Sequence, residues 1–359
     1  MVWGKVKHYL FHKDRPTTAV DIGTTGIKLM AVNLHGKVLA YGSIDLDPSK
    51  IQKSLKSEDA YLEKGLNELL SKNVQGRLPS NQVVVGLPTS QTYSRSMVLP
   101  IKSLDNIEEA IRLEAEQYIP IPISELYYDY EIIERTKQSV TVMLSAAPRK
   151  AIDVIVQAFD KNRLVPVLME PGIAAVARLV STIMSGPARV VLIDIGAVTS
   201  NIALVDKFIR VSGSVPVGGN TFTVKIAEKL KVSPEEAHRL KVGTGLTLSV
   251  RRSRLKNALQ PSLDQIANEA RKVLRYYSER LGAEAEIGSV MIVGGGSNMP
   301  GLSEYLAERI GMTVVKADPW KLFNFSNFES FNKQVGSRFM TVAGLSIIDR
   351  GDILGERND

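Results

Sequence analysis

Cysteine is absent from the 359 residues, histidine occurs four times, and aromatic residues make up 6% of the chain. Without thiols there is no disulfide framework, thiolate metal site or cysteine nucleophile, and a cytosolic address is the expectation. Only His8 and His12 share i,i+4 spacing, and they lack the glutamate of an HExxH zinc motif. No stretch reaches the roughly 18 uninterrupted apolar residues of a spanning helix. Even the apolar region 164–205 is broken by Glu170, Arg178, Arg189 and Asp194, so an integral membrane protein is not expected.

What is present is an ordinary globular balance, with 44% hydrophobic and 23% charged residues. The length suggests about two core-bearing units. The net charge of +7 gathers at Lys5, Lys7, Lys13 and Arg15, and again at Arg251, Arg252, Arg254 and Lys256. The second cluster has no stacking aromatic before Tyr276, which argues against nucleic-acid binding and for a solvated loop. The first segment, where Trp3, Val6 and Leu10 recur at helical spacing, lacks the apolar core of a signal peptide and reads as a basic tail over 1–16. An amphipathic, surface-seeking segment is the alternative there.

Two segments share one grammar. TAVDIGTTGIKLMAV at 18–32 and VVLIDIGAVTSNIALV at 190–205 each place Asp-Ile-Gly at a turn between apolar runs, and a valine closes the second run eleven residues after the aspartate. A repeat this widely spaced implies two similar domains, each opening with a β-hairpin. A third glycine signal, VMIVGGGSNMPGLSEYLAERIG at 290–311, reads as a strand, a glycine turn and a helix. Such turns bring backbone N–H groups and a helix dipole close to an anionic ligand.

Between the repeats, 83–88, 94–100, 125–133, 139–148 and 164–170 read as strands, and 106–119 and 151–162 as helices. Together they suggest an inserted α+β unit over 81–167. Helices follow at 171–184, 219–231 and 233–241, and a long one at 263–281 after the basic loop. The segment 339–348 reads as helix or strand, and 351–359 as a charged tail.

If the two hairpins face one another, their turns offer N–H groups to phosphates, and Asp21 and Asp194 suit a hydrated Mg2+, which keeps most of its waters. The plainer reading of each Asp-Ile-Gly is a turn that favours Asp and Gly on steric grounds.

These segments resemble the five-part signature of the actin-like ATPase superfamily. VDIGTTGIKL looks like its first phosphate loop, IDIGAVTSNIALV its second, VGGGSNMPGL its adenosine loop, and 168–179 and 342–348 its connecting helices. The resemblance implies an α/β fold of duplicated actin-like, RNase H-like domains around a nucleotide cleft, with a small SHS2-like insert. Domain 1 would take 17–80, 168–188 and 338–350, and domain 2 would take 189–337. Within the superfamily, the insert's position, EAEQYIPIPISELYYDYEI at 114–132 and SPEEAHRLK at 233–241 resemble the PilM family of type IV pilus assembly proteins. The related FtsA family ends in an apolar amphipathic helix, which the tail DRGDILGERND does not match.

Carried over by position, the resemblance implies ATP and Mg2+ as cofactors. Asp21 and Asp194 would serve the metal, and Gly23, Thr24, Thr25 and Lys28 the first phosphate turn. Gly196, Ala197, Val198 and Thr199 would form the second turn, with the bulk of Val198 leaving backbone contacts only. Gly218, Gly219 and Asn220 would border the nucleotide, Glu236 and Lys241 would reach ribose and adenine, and Gly294, Gly295, Gly296, Ser297 and Met299 would pack on base and sugar. Glu170 would orient the attacking water, with slow or absent turnover. The alternatives for Lys28, Glu236 and Lys241 are ordinary solvent-facing charges. The implied partner is the N-terminal cytoplasmic tail of PilN at the inner-membrane platform, together with the cytoplasmic motor ATPases and self-association. Membrane contact would run mainly through partners. An FtsA-like filament and a small-molecule kinase are the other readings.

Overall fold

A computed structural model describes residues 16–348 apart from 58, 185–188, 207, 248–251, 281–286, 329, 330 and 332. The His8 and His12 pair, the basic residues up to Arg15, Arg251 and the tail 351–359 lie outside the described residues. The chain divides into two compact units. One takes the residues up to Leu179, Leu322–Glu329 and those from Thr341 on, and the other takes Val180–Lys321 and Ser330–Met340.

The first unit opens with an antiparallel meander of β1 (Thr17–Gly23), β2 (Gly26–Val32) and β3 (Val38–Asp45). Helices α1 (Pro48–Ser54) and α2 (Tyr61–Lys72), the short β4 (Val74–Gly76) and β5 (Gln82–Leu87) follow. Asp47 caps α1 by accepting from the N–H groups of Ser49 and Lys50. Next come β6 (Tyr93–Pro100), α3 (Ile107–Ala115), β7 (Leu126–Arg135) and β8 (Ser139–Pro148), and after them α4 (Arg149–Lys161), β9 (Val165–Pro171) and α5 (Gly172–Ile183). The main sheet has six strands in the order β4-β3-β2-β1-β5-β9. Its central strands are buried on both faces, hence the consecutive buried apolar residues in β5 and, around the buried Asp21, in β1. Ala151, Ile152, Ile155 and Phe159 on α4 recur at helical spacing and pack into the core that α2 shares with β1 and β5.

The inserted layer is narrower than the 81–167 expected. β5 and β9 belong to the main sheet, β5 beside β1, and only β6, β8 and β7 form the separate three-stranded sheet. A fully apolar strand can serve either sheet, and the parallel pairing of β1 with β5 decides it. The three-stranded sheet has its own core, where Ile111 and Ala115 of α3 meet Val140, Val142 and Leu144 of β8.

In the second unit β10 (Arg189–Ile195), β11 (Ser200–Val205) and β12 (Ile209–Val215) form another antiparallel meander. Helices α6 (Gly219–Leu230), α7 (Pro234–Gly243) and α8 (Arg252–Arg280) come next, followed by β13 (Ile287–Val293), α9 (Leu302–Ile310), β14 (Val314–Lys316) and the short α10 (Lys333–Gly336). The last described helix, α11 (Met340–Ser346), returns from Thr341 on to the first unit. The sheet order β12-β11-β10-β13-β14 repeats β3-β2-β1-β5-β9, with three antiparallel strands and then two parallel ones. The internal duplication is thus complete at the level of strand order.

One helix differs from its expectation. α8 begins at Arg252, not near Leu263, and carries Pro261 inside it. The basic residues Arg252, Arg254 and Lys256 therefore sit in its first turns and not in a loop. An interior proline costs a helix about 3 kcal/mol, but Leu255, Leu259, Leu263 and Ile266 are all fully buried at helical spacing. Burial at roughly 1.5 to 3 kcal/mol per large apolar side chain outweighs the break. Among the described residues no helix is long and apolar enough to cross a membrane.

Candidate functional site

The first hairpin turn is set by the register in which Gly23 pairs with Gly26, leaving Thr24 and Thr25 at the tip. Gly26 sits at φ +152°, and a Cβ there would lie 2.0 Å from the Ile44 carbonyl oxygen, so no larger residue fits. Gly23, Thr24 and Thr25 are half-exposed, whereas Asp21 is buried one step behind them. Lys28 stands opposite Asp21, and its Nζ lies 3.5 Å from the carboxylate. Its side chain is only 13% exposed, so it does not simply face solvent. Burial raises the Asp21 carboxyl above its ordinary range, against the pull of the Lys28 ammonium.

Glu170 lies on the same sheet level. Asp21 pairs with Gly86 on β5, and Gly86 pairs with Glu170 on β9. Both Glu170 oxygens accept from Arg178, at 2.7 Å from Nη1 and 2.6 Å from Nη2, and Arg178 Nη1 also donates to the Gly344 carbonyl at 3.1 Å.

The second hairpin turn is built differently. The Gly196 N–H donates to the Thr199 carbonyl at 2.9 Å and closes the turn. The Gly196 and Ala197 carbonyls then accept the N–H groups of Gly219 and Asn220, at 2.9 and 2.7 Å, at the start of α6. Gly218 is required by this approach, because a Cβ would stand 2.6 Å from the Ala197 carbonyl. Val198 is half-buried. Asp194 faces Asn201 across the ladder, the place Lys28 holds against Asp21.

The glycine loop after β13 reaches the same place. Gly294 has φ +84°, and a Cβ on it would lie 2.4 Å from an Asp194 carboxylate oxygen. A Cβ on Gly296 would meet Ile195 at 2.2 Å. Ser297 is buried and donates its hydroxyl to the Gly294 carbonyl at 2.7 Å, closing the loop on itself. Met299 is buried in the unit's core, so its side chain packs inward.

Lys241 completes the cluster. It is 9% exposed, and its ammonium donates to the Gly219 carbonyl at 2.9 Å and to the Thr223 hydroxyl at 2.8 Å. Burial pushes its pKa down. A Cβ on Gly219 would lie 3.7 Å from Lys241 Nζ, from Gly296 Cα and from the Gly196 carbonyl oxygen, so three sequence-distant segments converge on one glycine. Glu236 stands apart from this convergence, paired with Arg239 at 3.4 Å on the outer face of α7. Asn201 was not singled out by the sequence. Its Oδ1 is buried with no hydrogen-bond partner, and superposing the two Asp-Ile-Gly repeats would have marked it as the counterpart of Lys28.

Each unit thus presents a short turn of small residues beside a carboxylate. Among the described residues there is no cluster of three His, Cys, Asp or Glu that could hold a metal by protein ligands alone. A single carboxylate per turn suits a cation that keeps its hydration shell.

The sequence profile of the family described as type IV pilus assembly protein PilM matches residues 19–349. The chain is similar to a solved PilM-PilN type IV pilus biogenesis complex, with TM-score 0.76 and 25% identity, covering 92% of this chain and 97% of that one. It is also similar to ethanolamine utilization protein EutJ from Carboxydothermus hydrogenoformans, with TM-score 0.51 and 16% identity over 93% of this chain and 90% of that one. MreB5 of Spiroplasma citri bound to ADP gives TM-score 0.50 and 13% identity over 97% of this chain and 100% of that one. These last two share the fold alone. The fold is that of the actin-like ATPases, as the paired hairpins imply.

Proposed function

Since the chain belongs to the PilM family of type IV pilus assembly proteins, we propose that it is a cytoplasmic assembly factor of the pilus inner-membrane platform that binds ATP with Mg2+ and takes the N-terminal cytoplasmic tail of PilN. The observation that carries this reading is the similarity to the PilM-PilN complex over nearly the full length of both chains. The three-stranded layer formed by β6, β8 and β7 is read as the SHS2-like module of that family, and an extended peptide suits a sheet with two open edges.

The nucleotide reading rests on the glycine turns. Gly23, Gly196, Gly218 and Gly294 let backbone approach where any side chain would collide or crowd. Lys28, beside Gly23, supplies a compact positive charge for a phosphate. Asp21 and Asp194 would hold Mg2+ through its waters, and the cation would neutralise charge on the phosphates. Any side chain at Gly294 would collide with the Asp194 carboxylate, which supports the need for glycine there. Lys241 and the start of α6 would border the sugar. The ligand acts as a structural switch with slow or absent turnover.

Pull-down and calorimetry with a synthetic PilN tail peptide, with and without ATP and Mg2+, test both parts. Specific peptide binding that changes with ATP is expected. Absence of binding in either condition would overturn the partner, and identical behaviour of the unmodified chain and Asp194→Ala toward nucleotide would overturn the ATP assignment.

A further inference from the structure

The resemblance to the actin-like ATPases implies that Glu170 orients the attacking water, yet both of its oxygens are engaged inside the first unit. It shares its sheet level with Asp21, and the residue between them, Gly86, has no side chain to separate them. A Cβ on Gly86 would come within 3.4 Å of the Asp21 carboxylate and 3.0 Å of Thr341 and Leu345 on α11, so this row lies directly under α11. Into the same layer α5 sends Arg178, whose guanidinium forks both Glu170 oxygens at 2.6 and 2.7 Å.

We propose that Arg178 is a lock on Glu170: it holds the carboxylate against α5 and α11 and so keeps turnover of the bound nucleotide slow. This rests on the ATP reading above. A water-orienting residue must turn a lone pair toward the nucleophile, since phosphoryl transfer depends almost wholly on positioning and charge neutralisation. A planar fork uses both oxygens and fixes the rotation of the carboxyl group, which a single lysine contact would not do. The guanidinium is itself held by the Gly344 carbonyl at 3.1 Å, so the lock is anchored to a second helix and does not follow Glu170 when it moves. Glu170 is 12% exposed and Arg178 27%, so water competes poorly for the pair. Arg178 is a positioning residue, because it acts only through Glu170.

The test uses the full chain with ATP and Mg2+ and reads bound nucleotide and phosphate release in the same samples. Arg178→Met should raise turnover about ten-fold or more, a modest share of what a freed general base contributes, with half-saturation by ATP unchanged. Arg178→Lys keeps the cation without the fork and guards against a folding failure of the methionine variant; it should give a smaller gain of the same sign. In Glu170→Gln/Arg178→Met the gain should vanish, which a merely structural role for Arg178 would not produce. Bound ATP with unchanged or lowered turnover in both single variants overturns the lock alone. No bound ATP in any folded variant, the unmodified chain included, overturns the nucleotide reading and the lock with it.

Discussion

Asn201 stands opposite Asp194 in the second hairpin at the position that Lys28 holds opposite Asp21 in the first. The duplicated units therefore differ at equivalent positions. One aspartate has an ammonium 3.5 Å away, and the other faces a neutral amide whose Oδ1 is buried without a hydrogen-bond partner. The pair in the first unit is nearly dry, with 13% and 10% side-chain exposure, which gives Lys28 weight in stability.

Lys28→Met leaves the Asp21 carboxylate buried without its partner. Breaking a buried pair on one side costs roughly 3 kcal/mol at the lower end, and that loss is expected at neutral pH. Burial already raises the Asp21 carboxyl, and removing the ammonium raises it further. A carboxyl whose folded value lies above the unfolded value of about 3.9 costs stability at neutral pH, and the cost is relieved as pH falls through the folded value. Urea unfolding of the two chains should thus show a gap that is widest near neutrality and narrows in acid. A gap that widens in acid would contradict the assignment.

Gly294→Ala and Gly311→Ala form a matched test of the glycine loop. Both positions have left-handed backbone, φ +84° and +81°, and strain of that kind costs about 1 to 3 kcal/mol. A Cβ at Gly311 meets nothing within 4 Å, whereas one at Gly294 would lie 2.4 Å from the Asp194 carboxylate and 2.5 Å from the Ile195 carbonyl. Both variants should lose stability in chemical denaturation, Gly294→Ala by more. Only Gly294→Ala should weaken ATP binding, and calorimetry on the two chains separates strain from displacement of Asp194.

Much of this was legible in the sequence. Asp-Ile-Gly between two apolar runs specifies a short hairpin, because Asp and Gly suit a tight turn and the runs on either side must be buried. The repeat at Asp194 and the triple glycine at 294–296 marked the segments that converge on Gly219. Long-range choices were not legible. β5 is apolar in a manner that fits either sheet, and only its pairing with β1 places it. The turns of α8 before 263 were not legible either, because the buried leucines that outweigh the local cost of Pro261 find their partners in distant strands. Arg178 is eight residues beyond Glu170 and across a strand-to-helix turn, so no spacing rule links them. Glu236 and Lys241 read alike as helix charges, yet α7 turns one outward to Arg239 and the other inward to Gly219.

Gly344→Ala tests the anchoring of the two connecting helices within the first unit. A Cβ there would lie 1.9 Å from the Ala175 carbonyl oxygen of α5, so α11 must shift. Overpacking of this kind costs roughly 1 to 3 kcal/mol, measurable as a lower unfolding midpoint. Because the Gly344 carbonyl also receives Arg178, the same shift should loosen that guanidinium. A milder increase in turnover than that of Arg178→Met is expected.

Lys241→Met separates a buried charge from a structural stem. The ammonium is held by the Gly219 carbonyl and the Thr223 hydroxyl, and burial pushes its pKa below the unfolded value of about 10.4. Below the folded value both states are protonated and the full desolvation cost is present. Between the folded and unfolded values the unfolded chain binds more protons, so stability rises with pH across that window. The unmodified chain should therefore gain stability toward pH 10, and Lys241→Met should lack this rise, as urea unfolding at a series of alkaline pH values would show. Methionine keeps most of the stem's apolar contact but withdraws the ammonium from the Gly219 carbonyl, which keeps only the Thr223 hydroxyl at 3.1 Å as a side-chain donor. ATP affinity should consequently fall in this variant even where its stability equals that of the unmodified chain, and retained affinity would remove Lys241 from the site.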